Sequence, residues 1–113
     1  MYTIEGLREY GANVDEGLSR CFNNEAFYLK LVGMLNQETG FDRLEEALSA
    51  GDLDAAFEAA HALKGVLGNL SLTPAYEKAN EITELLRNRT EMDYGPLLAG
   101  LLEQRDILKG MSE

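Results

Sequence analysis

Several residue types are scarce in this sequence. Its 113 residues include one cysteine, one histidine, two prolines and no tryptophan, and only ten Lys and Arg against twenty Asp and Glu. The single cysteine, Cys21, excludes an internal disulfide and makes a reducing compartment the natural one. One histidine and one cysteine far apart in the chain leave no recognisable metal-ligand spacing, so no metal site is expected. No apolar run reaches the roughly 18 residues that a membrane helix needs, and the N-terminus has no basic stretch leading into an apolar one. The expectation is a soluble, cytoplasmic protein. A formal charge of −10 argues against nucleic acid and anionic membranes as partners, and otherwise describes a well-solvated surface. Kinase activity on nucleotides is not expected either, because there is no G-x-x-x-x-G-K-S/T loop and no glycine-rich strand turn. A Ser-His-Asp arrangement has no identifiable nucleophile.

What remains is helical periodicity. No segment alternates as a strand would, and neither an internal repeat nor a low-complexity tract is present. The length fits one domain over residues 1–113, able to bury a single core. Thr3 can cap a short helix to Tyr10 with Ile4 and Leu7 inward, stopped by Gly11. Asn13, with Glu16 in capping-box position, opens a second short helix whose inner face is Val14, Leu18, Cys21 and Phe22. Cys21 on that face reads as a packing residue, not a reactive thiol. Asn23-Asn24 starts a longer helix with Phe27, Leu31, Met34 or Leu35, Phe41, Leu44 and Leu48 in its stripe, which Gly40 kinks or splits. Gly51 ends it, and Asp52 caps the next. Thr73 is expected to cap a helix running to about Asn88, with Pro74 in its first turn and Tyr76, Ala79, Ile82, Leu85 and Leu86 inward. Asp93 to Pro96 open a last helix, with Gly110 beyond it. The predicted architecture is all-α: an antiparallel four-helix bundle over about 24–109, preceded by short helices within 3–22.

The segment Asp52 to Leu70, D-L-D-A-A-F-E-A-A-H-A-L-K-G-V-L-G-N-L, holds the only histidine. At about 100° per residue, Leu53, Ala56, Phe57, Ala60, Leu63, Leu67 and Leu70 share one face, and Ala55, Ala59, Ala62 and Val66 extend it around the back. The polar strip left over carries Asp54, Glu58, His61, Gly65, Gly68 and Asn69, with Lys64 on its border. Asp54 and Glu58 could hydrogen-bond the ring or merely solvate the helix, and solvation is the favoured reading. Each glycine inside a helix costs about 1 kcal/mol relative to alanine, which is tolerable where bare backbone lets another surface approach. Imidazole has an ordinary pKa near 6.5 and is a largely uncharged nucleophile at neutral pH. Lys64 can lay its stem along the apolar border and bring a positive charge toward the ring. These parts suit a histidine that carries a phosphoryl group.

Ala60 to Gly65, A-H-A-L-K-G, resembles the H-x-L-K-G signature of histidine-containing phosphotransfer (HPt) domains. Gly17-Leu18, Tyr28-Leu29, the Ala50-Gly51-Asp52 turn and the long helix that follows are similar to the family pattern, so the resemblance covers roughly 13–108. It implies that His61 is phosphorylated, reversibly, by an aspartyl phosphate on a response-regulator receiver domain, one attached to a hybrid sensor kinase among them, and passes the group to a second receiver. It implies no cofactor on this chain, the Mg²⁺ being the receiver's. Lys64 would offset charge on the phosphoryl oxygens, and Gly65, Gly68, Glu58, Asn69 and Thr83 would meet the partner. The second imidazole nitrogen would be held by a hydrogen bond; Thr83 is the nearest positional match for a polar contact from the following helix, with Asn80 and Glu84 as rivals. The chain departs from the pattern at Val66 and Leu67, where small residues are usual, and at Ser71, where glycine is frequent. A monomer without kinase activity is expected, and Met1 with a full set of helices predicts a free-standing protein. The rival readings are an adaptor bundle that binds receivers without phosphorylation, and an HPt module excised from a larger sensor kinase.

Overall fold

Side-chain caps set four of the seven helix starts. In the computed structural model, which describes residues 1–113, seven α-helices follow one another: α1 (Ile4–Tyr10), α2 (Val14–Arg20), α3 (Glu25–Gly33), α4 (Gly40–Ser49), α5 (Leu53–Asn69), α6 (Thr73–Arg87) and α7 (Gly95–Met111). Side chains of Thr3, Asn13, Asn24 and Asp52 accept the backbone N–H groups of Gly6, Glu16, Phe27 and Ala55, as Ser, Thr, Asn and Asp do at helix N-termini. Gly51, at φ 71°, makes the reversal between α4 and α5. α5 lies between α4 and α6, and α7 packs on α6. Their short connections make these neighbours antiparallel, and Leu44, Leu63, Leu67, Ile82, Leu86, Leu101 and Leu108 are fully buried among them. The short helices pack at the end of the bundle where α5 stops, α6 starts and α7 stops. The Tyr2 hydroxyl donates to Leu108 O at 2.8 Å, and the Asn13 N–H to Ser71 O at 2.9 Å.

The segment before α5 differs from its expected continuous course. It divides into α3, a 3-10 turn at Met34–Gln37, and α4. Gly40 is the first residue of α4, its N–H taken by Glu38 Oε1 at 3.0 Å. The inward stripe of α3 is Tyr28 and Val32, continued by Leu35, while Phe27 and Met34 are exposed. Tyr28 sets that register. Its ring fills the space left by Gly17, and its hydroxyl donates to Leu70 O at 2.8 Å. Burial pushes the Tyr28 phenol up to about 12, so it stays a neutral donor. Phe22, expected inward, is 90% exposed. α2 stops at Arg20, and the chain reverses through Phe22 and Asn23, both left-handed, which turns the ring outward. Thr73 does not cap α6. It is the first helical residue, Leu72 occupies the cap position, and Pro74 sits in the first turn as expected. Gly110 lies inside α7.

A β-carbon at Gly17 would stand 2.5 Å from a ring carbon of the fully buried Tyr28. Overpacking of this kind costs about 1–3 kcal/mol, and the helix-propensity gain of about 1 kcal/mol offsets only part of it. Gly17→Ala is therefore expected to lower the urea midpoint at an unchanged slope. A midpoint at or above the parent's would show that Gly17 is not there for Tyr28.

Candidate functional site

α5 presents less apolar surface to the core than its sequence implies. Ala56, Ala60, Leu63 and Leu67 are buried, Ala59 and Val66 are half-buried, and Ala55 and Ala62 are exposed. Alanine favours helix without demanding burial, so the open side of α5 is wider than the polar strip. His61 is exposed within it, beside exposed Gly65 and Asn69, and Lys64 lies at its edge. His61, Lys64, Gly65, Gly68 and Asn69 line one shallow depression. Glu58 is exposed but faces the other way, into the groove between α4 and α5.

The two glycines are alike in sequence and differ in place. A β-carbon on Gly65 would meet nothing within 4 Å, so the backbone beside the imidazole is bare. One on Gly68 would come within 3.2 Å of the Tyr76 ring. Gly68 is a packing position where α6 passes α5, and its expected role as open ledge belongs to Gly65 alone.

The far wall of the depression comes from α2, a contribution that local pattern did not reveal. Arg20 donates to Gly68 O at 2.7 Å and pairs with Glu16 at 3.1 Å. Glu16 in turn accepts from the Ser71 hydroxyl at 3.1 Å. α5 has no basic residue in its last turn, and Arg20 supplies from outside the positive charge that a helix C-terminus favours. The sequence signal available was only that absence. Ser71 adopts φ 56°, the left-handed conformation that explains why glycine would be comfortable there; its hydrogen bond to Glu16 holds the serine in it.

α6 contributes charge. Lys64 keeps 21% of its side chain exposed, and its Nζ is 3.9 Å from Glu84. Glu84 is bound more tightly by Arg87, at 2.7 Å. That Arg87 hydrogen bond holds the Glu84 carboxyl below its ordinary value, with smaller pulls from Lys64 and His61. Lys64 is thus loosely held while its acid is kept charged by another partner. Of the three residues proposed to face the ring from this helix, Glu84 is the one whose charge reaches it. Thr83 is the correction: it is fully buried, its hydroxyl donates to Ala79 O at 2.7 Å, and no partner surface can touch it. One residue separates the two positions, and on a helix that turns a side chain by about 100°.

Neither imidazole nitrogen meets a hydrogen-bond partner within the chain. The ring is instead stacked on Phe57, one turn earlier, with centroids 5.6 Å apart and planes 7° from parallel. Asp54, which shares the strip, is engaged by Arg89 at 2.6 Å. No group of three or more His, Cys, Asp and Glu side chains is arranged to hold a metal ion. No helix is long and apolar enough to cross a membrane. The chemistry on offer is therefore an accessible nitrogen nucleophile, a loosely held ammonium and bare backbone next to both.

A family model described as Hpt domain matches residues 36–111, well over half of the chain. No curated protein and no solved structure matches it.

Proposed function

The chain belongs to the Hpt domain family, the histidine phosphotransfer modules of phosphorelays, and on that premise we propose that His61 takes a phosphoryl group from a receiver-domain aspartate and passes it to the aspartate of a second receiver. The observation that carries this reading is the exposed imidazole of His61 standing beside the open backbone at Gly65. In the forward step the unprotonated ring nitrogen attacks phosphorus, an N–P bond forms, and the acyl-phosphate P–O bond breaks. The aspartate leaves as a carboxylate. The proton on the other ring nitrogen stays in place, so no base is required, and the reverse step returns the group to a second carboxylate. Such a transfer is governed by positioning and by charge on the transferred oxygens. Lys64 supplies a cation that can leave its 3.9 Å contact with Glu84 and pair with those oxygens, a stronger, charge-assisted contact. The receiver brings the Mg²⁺. Gly65 and Asn69 form the approach, with Arg20 across the depression.

Passage of label tests the proposal. One phosphorylated receiver, this protein and a second unphosphorylated receiver are mixed, and label on the second is followed over time. The proposal predicts passage that requires this protein. Lys64→Ala should slow it about tenfold, near 1.4 kcal/mol in the barrier, with the domain still folded. Receiver binding without passage of label would favour an adaptor that docks receivers and carries nothing.

A further inference from the structure

His61 stands at the surface with no hydrogen bond to either nitrogen, and an imidazole in that setting rotates over a broad range about its outer torsion. A group that must meet phosphorus in line with a leaving carboxylate cannot be free in this way without losing rate. An aromatic neighbour lies against it. The Phe57 ring lies four residues earlier, where helix geometry brings side chains together, and the two rings are nearly parallel at 5.6 Å between centroids. Offset stacking of this separation is an attractive arrangement for aromatic pairs.

Phe57 is itself held. The guanidinium of Arg87 lies 5.2 Å from its ring centroid and that of Arg89 4.8 Å, both within cation–π range. Each cation is anchored by an acid: Arg87 by Glu84 at 2.7 Å, and Arg89 by Asp54 at 2.6 Å. Arg89 is further fixed by its bond to Leu86 O at 2.7 Å and by its left-handed backbone, φ 49°. The end of α6 thus clamps the ring on which the imidazole rests.

We propose that Phe57 is the positioning residue of His61, holding the imidazole in the orientation from which its free nitrogen meets the phosphorus of a docked receiver. This rests on the reading that His61 carries the phosphoryl group. It assigns to an aromatic face the task that a hydrogen bond to the second ring nitrogen would otherwise perform.

The test compares Phe57→Leu and Phe57→Met, which keep apolar bulk and lose the plane, with Phe57→Tyr, which keeps it. At saturating phosphorylated receiver, the first two should transfer at least about tenfold more slowly. The receiver concentration giving half the maximal rate should not change, and Phe57→Tyr should restore the rate. The His61 ring-proton resonances should lose their ring-current displacement in Leu and Met and keep it in Tyr. Phosphoramidate, a small donor that does not dock, should phosphorylate His61 equally well in every variant. A wild-type rate in both Leu and Met would overturn the proposal, as would a defect confined to the half-saturating concentration, which would make Phe57 a docking residue. A slower reaction with phosphoramidate would also overturn it, by placing the defect in the nitrogen's reactivity. If the parent protein itself takes no label from any receiver, the phosphoryl reading fails, and the ring-current comparison still reports whether Phe57 orients the imidazole.

Discussion

Gly65→Gln is expected to fold at least as well as the parent protein and to lose receiver-dependent phosphoryl transfer by about a hundredfold, near 2.7 kcal/mol in the barrier. Two observations separate fold from function at this position. A β-carbon there meets nothing within 4 Å, so a side chain can leave the backbone there without a clash. Replacing a mid-helix glycine with a good helix former also recovers up to about 1 kcal/mol of propensity. The function should suffer because Gly65 lies at i+4 from His61, on the same face of α5. A glutamine there rises into the space where the receiver's active-site loops must come to bring phosphorus within reach of the imidazole. The measurement is the transfer rate from a phosphorylated receiver, read together with the thermal midpoint. Unchanged transfer would remove the access argument; a lowered midpoint would mean that Gly65 serves packing. Gly68 makes the useful contrast. Its β-carbon would press on Tyr76, so substitution there acts on packing first.

The fold was readable in the chain to a large extent because local chemistry states it. Thr3, Asn13, Asn24 and Asp52 announce helix starts through oxygen acceptors three residues ahead of free N–H groups. Gly11 and Gly51 announce ends through the left-handed backbone they adopt. His61, Lys64 and Gly65 stand out because a glycine next to a polar strip has no packing reason to be there. Periodicity failed where a long-range fit decided the outcome. The stripe of α3 follows Tyr28 instead of Phe27, because Gly17, eleven residues earlier in the chain, leaves a hole shaped for that ring. Phe22 points to solvent because a reversal through two left-handed residues follows α2, and of the two Asn23 is of a type that favours such backbone while Phe22 is not. Alanine is equivocal in another way: it favours helix whichever way it faces, so Ala55 and Ala62, apolar on the helical wheel, lie exposed in the fold.

The surroundings of His61 were less legible than the residue itself. Arg20, Arg87 and Arg89 come from other elements, and their distances from the histidine in sequence say nothing of proximity. Arg20 reaches Gly68 O from forty-eight residues away, and Arg89 reaches Asp54 from thirty-five. The resemblance makes Thr83 the nearest positional match for a contact to the ring, with Asn80 and Glu84 as rivals, and one helix position of rotation puts Thr83 inside the core with its hydroxyl on Ala79 O. The hydrogen bond that the family resemblance implies at the second ring nitrogen is absent from the fold, where the imidazole lies instead against the flat side of Phe57.

The most direct trial of the account is the fate of label in a parent and a His61→Gln protein mixed separately with one phosphorylated receiver. Glutamine keeps size and polarity at an exposed site, so the bundle should be undisturbed, but its amide nitrogen has no lone pair free to attack phosphorus. The account predicts that the parent takes up label that acid releases and base does not, as an N–P bond behaves, and that His61→Gln takes up none. Label of equal amount on His61→Gln, or a parent that stays unlabelled while the receiver keeps its phosphoryl group, would contradict it.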